Sequence, residues 1–164
     1  MIARTLVLVG GVVGAAGLSQ FPEYSQQYTQ RLGGAVDALG QVVADFDASA
    51  AAEGMTRDQA LAAMTGTAFV ERRRADMARS FDRHARLRAD LEALQSAGPF
   101  MRAYRGGRLT DPEIASAALA AYKPAVPVTF DGLVFATTGF GLGAALIWGL
   151  LTLVRTPFRR RAAA

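Results

Sequence analysis

Few residues in this chain are equipped for chemistry, and they do not cluster. His84 is the only histidine and there is no cysteine. Disulfides, thiolate metal sites and sulfur redox chemistry other than methionine oxidation are therefore excluded. A metal held by His84 would need ligands at helical spacing, and no His-x3-His or His/carboxylate motif surrounds it. His84 falls instead in an apolar helical stripe, where an imidazole packs or hydrogen-bonds; a pH-sensitive contact is the alternative. Arg72, Arg73 and Arg74 are consecutive and so cover a wide arc of a helix. A solvated, salt-bridged surface is the expected reading of that triplet, followed by lipid headgroups or an acidic partner. Gly139-Phe140-Gly141-Leu142-Gly143 looks like a phosphate loop, but no strand precedes it and no lysine follows. Asp131 reads as the cap of a helix. No catalytic triad, paired-acid site, cofactor box or metal site emerges, and the expectation is a protein that is not an enzyme and holds no cofactor.

The elements that position these residues are organised by a run of twenty-three residues, 132–154, without a formal charge. As a helix it is about 35 Å long, enough to cross a hydrocarbon core of about 30 Å. A second apolar stretch lies at the start, where Arg4 precedes residues 5–18. A cleaved signal peptide has this pattern, with Ala15, Ala16 and Gly17 as small residues near a cleavage site. The reading taken is an uncleaved transmembrane helix over 2–21. Gly10 and Gly14 in the first span, and Gly139 and Gly143 in the second, are small-xxx-small pairs that let helix backbones approach in lipid. They are expected to pack the two spans together or to join protomers.

The pI near 10.1 invites a nucleic-acid reading. The middle, 20–127, however, balances thirteen bases against thirteen acids, so nucleic acid is not an expected partner. The excess charge sits at Arg4 and at Arg155, Arg159, Arg160 and Arg161, just outside the two spans. The positive-inside rule then puts both termini in the cytoplasm, those arginines serving as the cytoplasmic anchor, and the middle on the far side. For a bacterial inner membrane that side is the periplasm.

Within the middle, Phe21-Pro22 breaks or kinks the chain. Tyr24, Tyr28, Leu32, Leu39 and Phe46 then recur at helical spacing to about residue 50. Gly33, Gly34 and Gly40 interrupt this helix and suggest either a close contact or simple tolerance. Gly54 ends it, and Thr56 with Gln59 forms a capping box that starts a second helix. That helix is expected to run unbroken to about residue 97, with Met77, Phe81, His84 and Leu91 on one face, until Gly98-Pro99 stops it. Residues 21–54 carry five acids against Arg31, and residues 55–89 carry eight arginines against four acids. The two helices are complementary in charge, which selects partner and register either within one chain or between protomers. Thr110-Asp111-Pro112-Glu113 starts a short third helix, and Lys123-Pro124-Ala125-Val126-Pro127 is a stiff connector.

Phe21-Pro22-Glu23-Tyr24-Ser25-Gln26-Gln27-Tyr28, followed by Gln30-Arg31-Leu32-Gly33-Gly34-Ala35-Val36-Asp37, resembles the opening of DUF2937, a family of proteobacterial membrane proteins of unknown function. The resemblance extends over nearly the whole chain. It implies a bacterial inner-membrane setting and supplies no catalytic residue.

The expected fold is an all-α membrane protein, two transmembrane helices flanking an antiparallel, coiled-coil-like hairpin and a short third helix. The expected divisions are 1–21, 22–123, 124–158 and a basic tail, 159–164. A two-helix pair has little core, for which oligomerisation is a common remedy. The expected function is a self-associating scaffold, in contact with membrane lipids and homo-oligomeric. An accessory subunit of a larger respiratory or photosynthetic membrane complex is the alternative, and a channel or transporter component is the least favoured class.

Overall fold

A computed structural model describes residues 1–124, 126 and 128–161, with the side chains of 155–161 excepted. The anchor expected at Arg155, Arg159, Arg160 and Arg161 therefore lies outside the described side chains. The chain forms α1 (Ile2–Leu18), α2 (Phe21–Ala52), α3 (Arg57–Ala63), α4 (Ala68–Gln95), α5 (Pro99–Tyr104), a 3-10 turn (Gly106–Arg108), α6 (Pro112–Ala121) and α7 (Phe130–Arg161). Among the described residues there is no strand. Two long apolar helical segments, one beginning at Ile2 and the other Phe130–Val154, have the length and hydropathy to cross a membrane.

The residues divide into two compact units, Met1–Gln26 with Tyr122–Ala164, and Gln27–Ala121. In the first, α1 ends at Leu18 and α2 begins at Phe21, with Pro22 in its first turn, where a missing amide donor costs nothing. Phe21 stacks on Phe135 of α7 with ring centroids 5.3 Å apart. The Tyr122 hydroxyl donates to Gln20 Oε1. Burial, with the negative charge of Glu23 second, holds that hydroxyl above its usual pKa, so it stays a donor. The cap of α7 differs from expectation. Thr129 Oγ1 accepts the Gly132 amide at 3.2 Å, while Asp131 lies in the first turn, where its charge suits the helix dipole.

In the second unit α2 and α4 run antiparallel. The contact of Phe46 with Phe81, at 5.1 Å between centroids and 69° between planes, sets their register. The second helix of the hairpin is not continuous, as the apolar periodicity alone suggests. Thr56 and Gln59 do form the capping box, but the helix they start ends at Ala63. Gly66 turns the backbone at φ 118°, a conformation that favours glycine, and Thr67 caps α4 by accepting the Val70 amide.

The buried residues gather at one end of this unit. Tyr28 and Leu32 of α2, Leu87 and Leu94 of α4, and Ile114 and Ala118 of α6 are buried. Three helices meet there, and their polar groups are paired except for the buried Arg83 Nε. Tyr28 Oη accepts the Asp111 amide at 3.0 Å. The Asp111 carboxylate caps α6 through the Ile114 amide and accepts from Arg83. Arg83 also reaches Glu113 at 2.6 Å. The basic cluster in and after α5 has a structural use. Arg102 donates to the carbonyl of Leu94, Arg105 to that of Ala93, and Arg108 pairs with Asp90 at 2.8 Å. The last carbonyls of a helix lack internal partners and carry the negative end of its dipole, and Arg102 and Arg105 donate to two of them in α4.

At the opposite end, Arg57 of α3 holds Asp47 of α2 through two bonds of 2.7 and 2.5 Å, while its guanidinium lies 4.8 Å from the Phe81 ring centre. This one side chain ties α3 to both long helices.

Two outcomes follow from these contacts. Tyr28→Phe removes the hydroxyl that accepts the part-buried Asp111 amide and should cost about 1–3 kcal/mol, read as a lowered unfolding midpoint of the full chain; an unchanged midpoint would mean the bond is dispensable. Arg57, by its hydrogen bond, lowers the Asp47 carboxyl pKa. The pair's contribution is then complete above about pH 4 and lost as pH falls through the lowered value. The stability gap between the native chain and Asp47→Asn should be present at neutral pH and close on acidification.

Candidate functional site

The surfaces available for function are packing faces, and each belongs to one unit. In the first unit, α1 and α7 cross antiparallel with Gly14 against Gly139 and Gly10 against Gly143. Residues four apart on a helix lie one above the other on the same face, so each pair opens a strip of bare backbone. A Cβ at Gly14 would collide with the carbonyl oxygen of Gly139, one at Gly139 with that of Gly14, and one at Gly143 with that of Gly10. A Cβ at Gly10 would collide with the Ile147 side chain. Gly11 supplies a further contact that the four-residue spacing does not reveal, because the Phe140 ring fills the place a side chain would take. Gly17 meets nothing. All four of the spaced glycines thus lie inside one chain's own helix crossing.

In the second unit the stripe residues are unequally covered. Tyr28 and Leu32 are buried, whereas Leu39, Phe46, Met77, Phe81, His84 and Leu91 are half-buried. Tyr24 falls in the first unit and is also half-buried. Leu87, Leu94, Ile114 and Ala118 carry more of the core than these, and the helical period marks the first two. The α6 pair was not singled out, because a ten-residue helix shows barely three turns of pattern. His84 rests over α2 at Gly40, where an added Cβ would lie 3.4 Å from Nε2. Gly33 and Gly34 face open space, so of the three α2 glycines Gly40 alone admits a neighbour.

An open groove of about 820 Å³ runs beside this contact, lined by Asp37, Gly40, Gln41, His84, Arg88 and Glu92 among others. Among the described residues no group of three or more histidines and acids is placed to hold a metal ion. The arginine triplet is exposed. Arg73 pairs with Asp76 at 3.5 Å on its own helix, while Arg72 and Arg74 form no ion pair among the described residues. What this geometry can do chemically is to join helices, through bare backbone in one unit and through apolar and charged faces in the other.

The crossing yields a direct test. Gly14→Leu should force α1 from α7 and lower the stability of the detergent-solubilised protein by about 1–3 kcal/mol, as overpacking does. Gly17→Leu, at an open position, should leave it unchanged. Equal effects at the two sites would contradict the crossing.

No curated protein and no solved structure matches this chain. The model of a family described as a protein of unknown function, DUF2937, matches residues 2–160. The match takes in both membrane-length helices and everything between them, and the chain belongs to the DUF2937 family.

Proposed function

We propose that this is a non-enzymatic protein of the bacterial inner membrane, a scaffold whose two spans hold a periplasmic helical hairpin and whose copies associate through that hairpin. Both termini are cytoplasmic in this reading, as the arginines outside the spans suggest. The observation that carries it is the unequal use of the packing faces. The glycine strips are occupied within the chain, so they do not have to serve between copies. The hairpin, by contrast, leaves Leu39, Phe46, Met77, Phe81 and Leu91 half-covered along helices of about 48 and 42 Å. Two long helices cover each other along one strip only, and a neighbouring arm supplies the missing cover.

A second reading, an accessory subunit of a larger membrane complex, has its own observation. Phe100, Met101 and Tyr104 of α5 are exposed together, Tyr104 at 86%. Such a patch suits a different chain better than it suits water.

The deciding experiment is the mass of the native particle, extracted gently into lipid nanodiscs, with its subunits identified by mass spectrometry. A discrete multiple of 17.3 kDa is expected. A single copy among unrelated chains would overturn the scaffold and support the accessory subunit.

A further inference from the structure

The hairpin carries charge that its own packing does not use. Complementary helices have two outlets for their charge, a partner helix in the same chain or one in another copy, and among the described residues no ion pair joins α2 to α4. Asp47 is taken up by Arg57 of α3. Arg79 is tied to Asp76 on its own helix. Arg88 pairs with Glu92 in the same way. Asp37, Asp45 and Glu53, and on α4 Arg72 and Arg86, are exposed and form no ion pair among the described residues.

Their spacing is regular. Arg72, Arg79 and Arg86 recur every seven residues and form one stripe along α4, about 10.5 Å from one to the next. Asp37 and Asp45 stand about 12 Å apart along the axis of α2 and about 80° apart around it, and Glu53 lies in the turn just after the helix. Asp37 and Asp45 lie away from the buried Leu32, Val36 and Val43 of their helix. The Phe46–Phe81 contact gives the levels. Five residues on, Arg86 is level with Gln41, midway between Asp37 and Asp45 and about 6 Å from each along the axis. Counting the same way, Arg79 comes level with Ala48, and Arg72 falls beyond the last residue of α2, beside the turn that holds Glu53. Each arginine is within about one helical turn of an acid. Asp82, also exposed, is the one acid lying between Arg79 and Arg86 in sequence.

We propose that a second copy of this chain docks here, the acidic outer side of its α2 against the Arg72–Arg79–Arg86 stripe of α4. The inference rests on the self-association reading and names its surface. Copies inserted in one membrane with one orientation stand at the same height, so the register within a chain also holds between chains. The contact is head-to-tail. Each copy keeps a free acidic side and a free arginine side, and the assembly closes into a ring when the rotation between copies allows. Exposed pairs are individually weak, below about 1 kcal/mol. The interface therefore depends on several pairs together and on confinement to a plane, which raises effective concentration.

Charge exchange between the two faces tests this in the full-length protein in nanodiscs. One variant carries Asp37→Arg, Asp45→Arg and Glu53→Arg; the other carries Arg72→Glu, Arg79→Glu and Arg86→Glu. Each alone should associate at least tenfold more weakly than the native chain. An equimolar mixture, in which each reversed face meets its complement, should regain a particle containing both variants. Restoration also shows that each variant folds, since misfolded chains would not recover. As a measurement on native charges, differently tagged copies bearing Gln41→Cys and Asp82→Cys should be bridged by a short bis-maleimide. A native particle of several copies, with variants that assemble equally well and no bridge, overturns this surface and leaves the scaffold standing. A native chain that never associates with itself overturns both.

Discussion

The contact of bare backbone at Gly14 and Gly139 is the constraint on which the rest of the chain depends. It binds the first helix to the last, so everything between is an excursion that must return to where it left. The chain leaves the first unit at Gln26 and re-enters it at Tyr122, whose hydroxyl reaches back to Gln20. A returning path built from long helices needs two antiparallel passes, and α2 and α4 are those passes. The pairing of α1 with α7 thus favours a hairpin before any contact within the hairpin is formed.

The two units are held by different physics. Between apolar helices in lipid there is no hydrophobic gain, and association relies on close packing, which glycine permits by removing the side chain. The hairpin carries charge along both helices and needs burial to hold them, and its buried residues are concentrated where α6 joins the pair. There Tyr28, Leu32, Leu87, Leu94, Ile114 and Ala118 form the core. Asp111 links that core to charge by capping α6, accepting from Arg83 and giving its amide to Tyr28. Toward the α3 end the buried apolar groups thin to Val43 and Ala50, and Arg57 adds to them by bonding Asp47 and lying over Phe81. Stability should therefore decline from the α6 end toward the turn, since local opening is easiest where few apolar groups are buried.

Local signals in the sequence were readable and long-range ones were not. The capping box at Thr56 and Gln59 and the helix start at Asp111-Pro112 each depend on a few consecutive residues, and they stand in the structure where those residues indicate. The break at Gly66 escaped because a lone glycine is tolerated within a helical pattern and the apolar period resumes beyond it at Val70. Asp131 read as a cap because capping chemistry suits aspartate, but Thr129 lies two residues earlier with an equally suitable oxygen. The partner of Tyr28 lies eighty-three residues away, and no period or motif encodes such a pairing. The spaced glycines were visible as bare strips. That Gly14 meets Gly139 of its own chain is a property of three dimensions.

Charge was visible in the same incomplete way. The opposition between α2 and the arginines of α4 is plain in the sequence, where it suits a choice of partner within one chain or between chains, and among the described residues no ion pair joins the two helices of one chain. Within the chain they meet through Phe46, Phe81, Gly40 and His84, contacts that pack without regard to sign. A contact made by apolar groups would join any two such arms in several orientations. One made by acids on one helix and arginines on the other rejects like faces, because α2 against α2 brings acids together and α4 against α4 brings arginines together. In the proposed assembly the apolar residues hold each arm closed and the charges choose how arms meet. That division gives a use to the excess of acids on α2 and to the arginine stripe of α4, where an even mixture along both would have served solubility equally well.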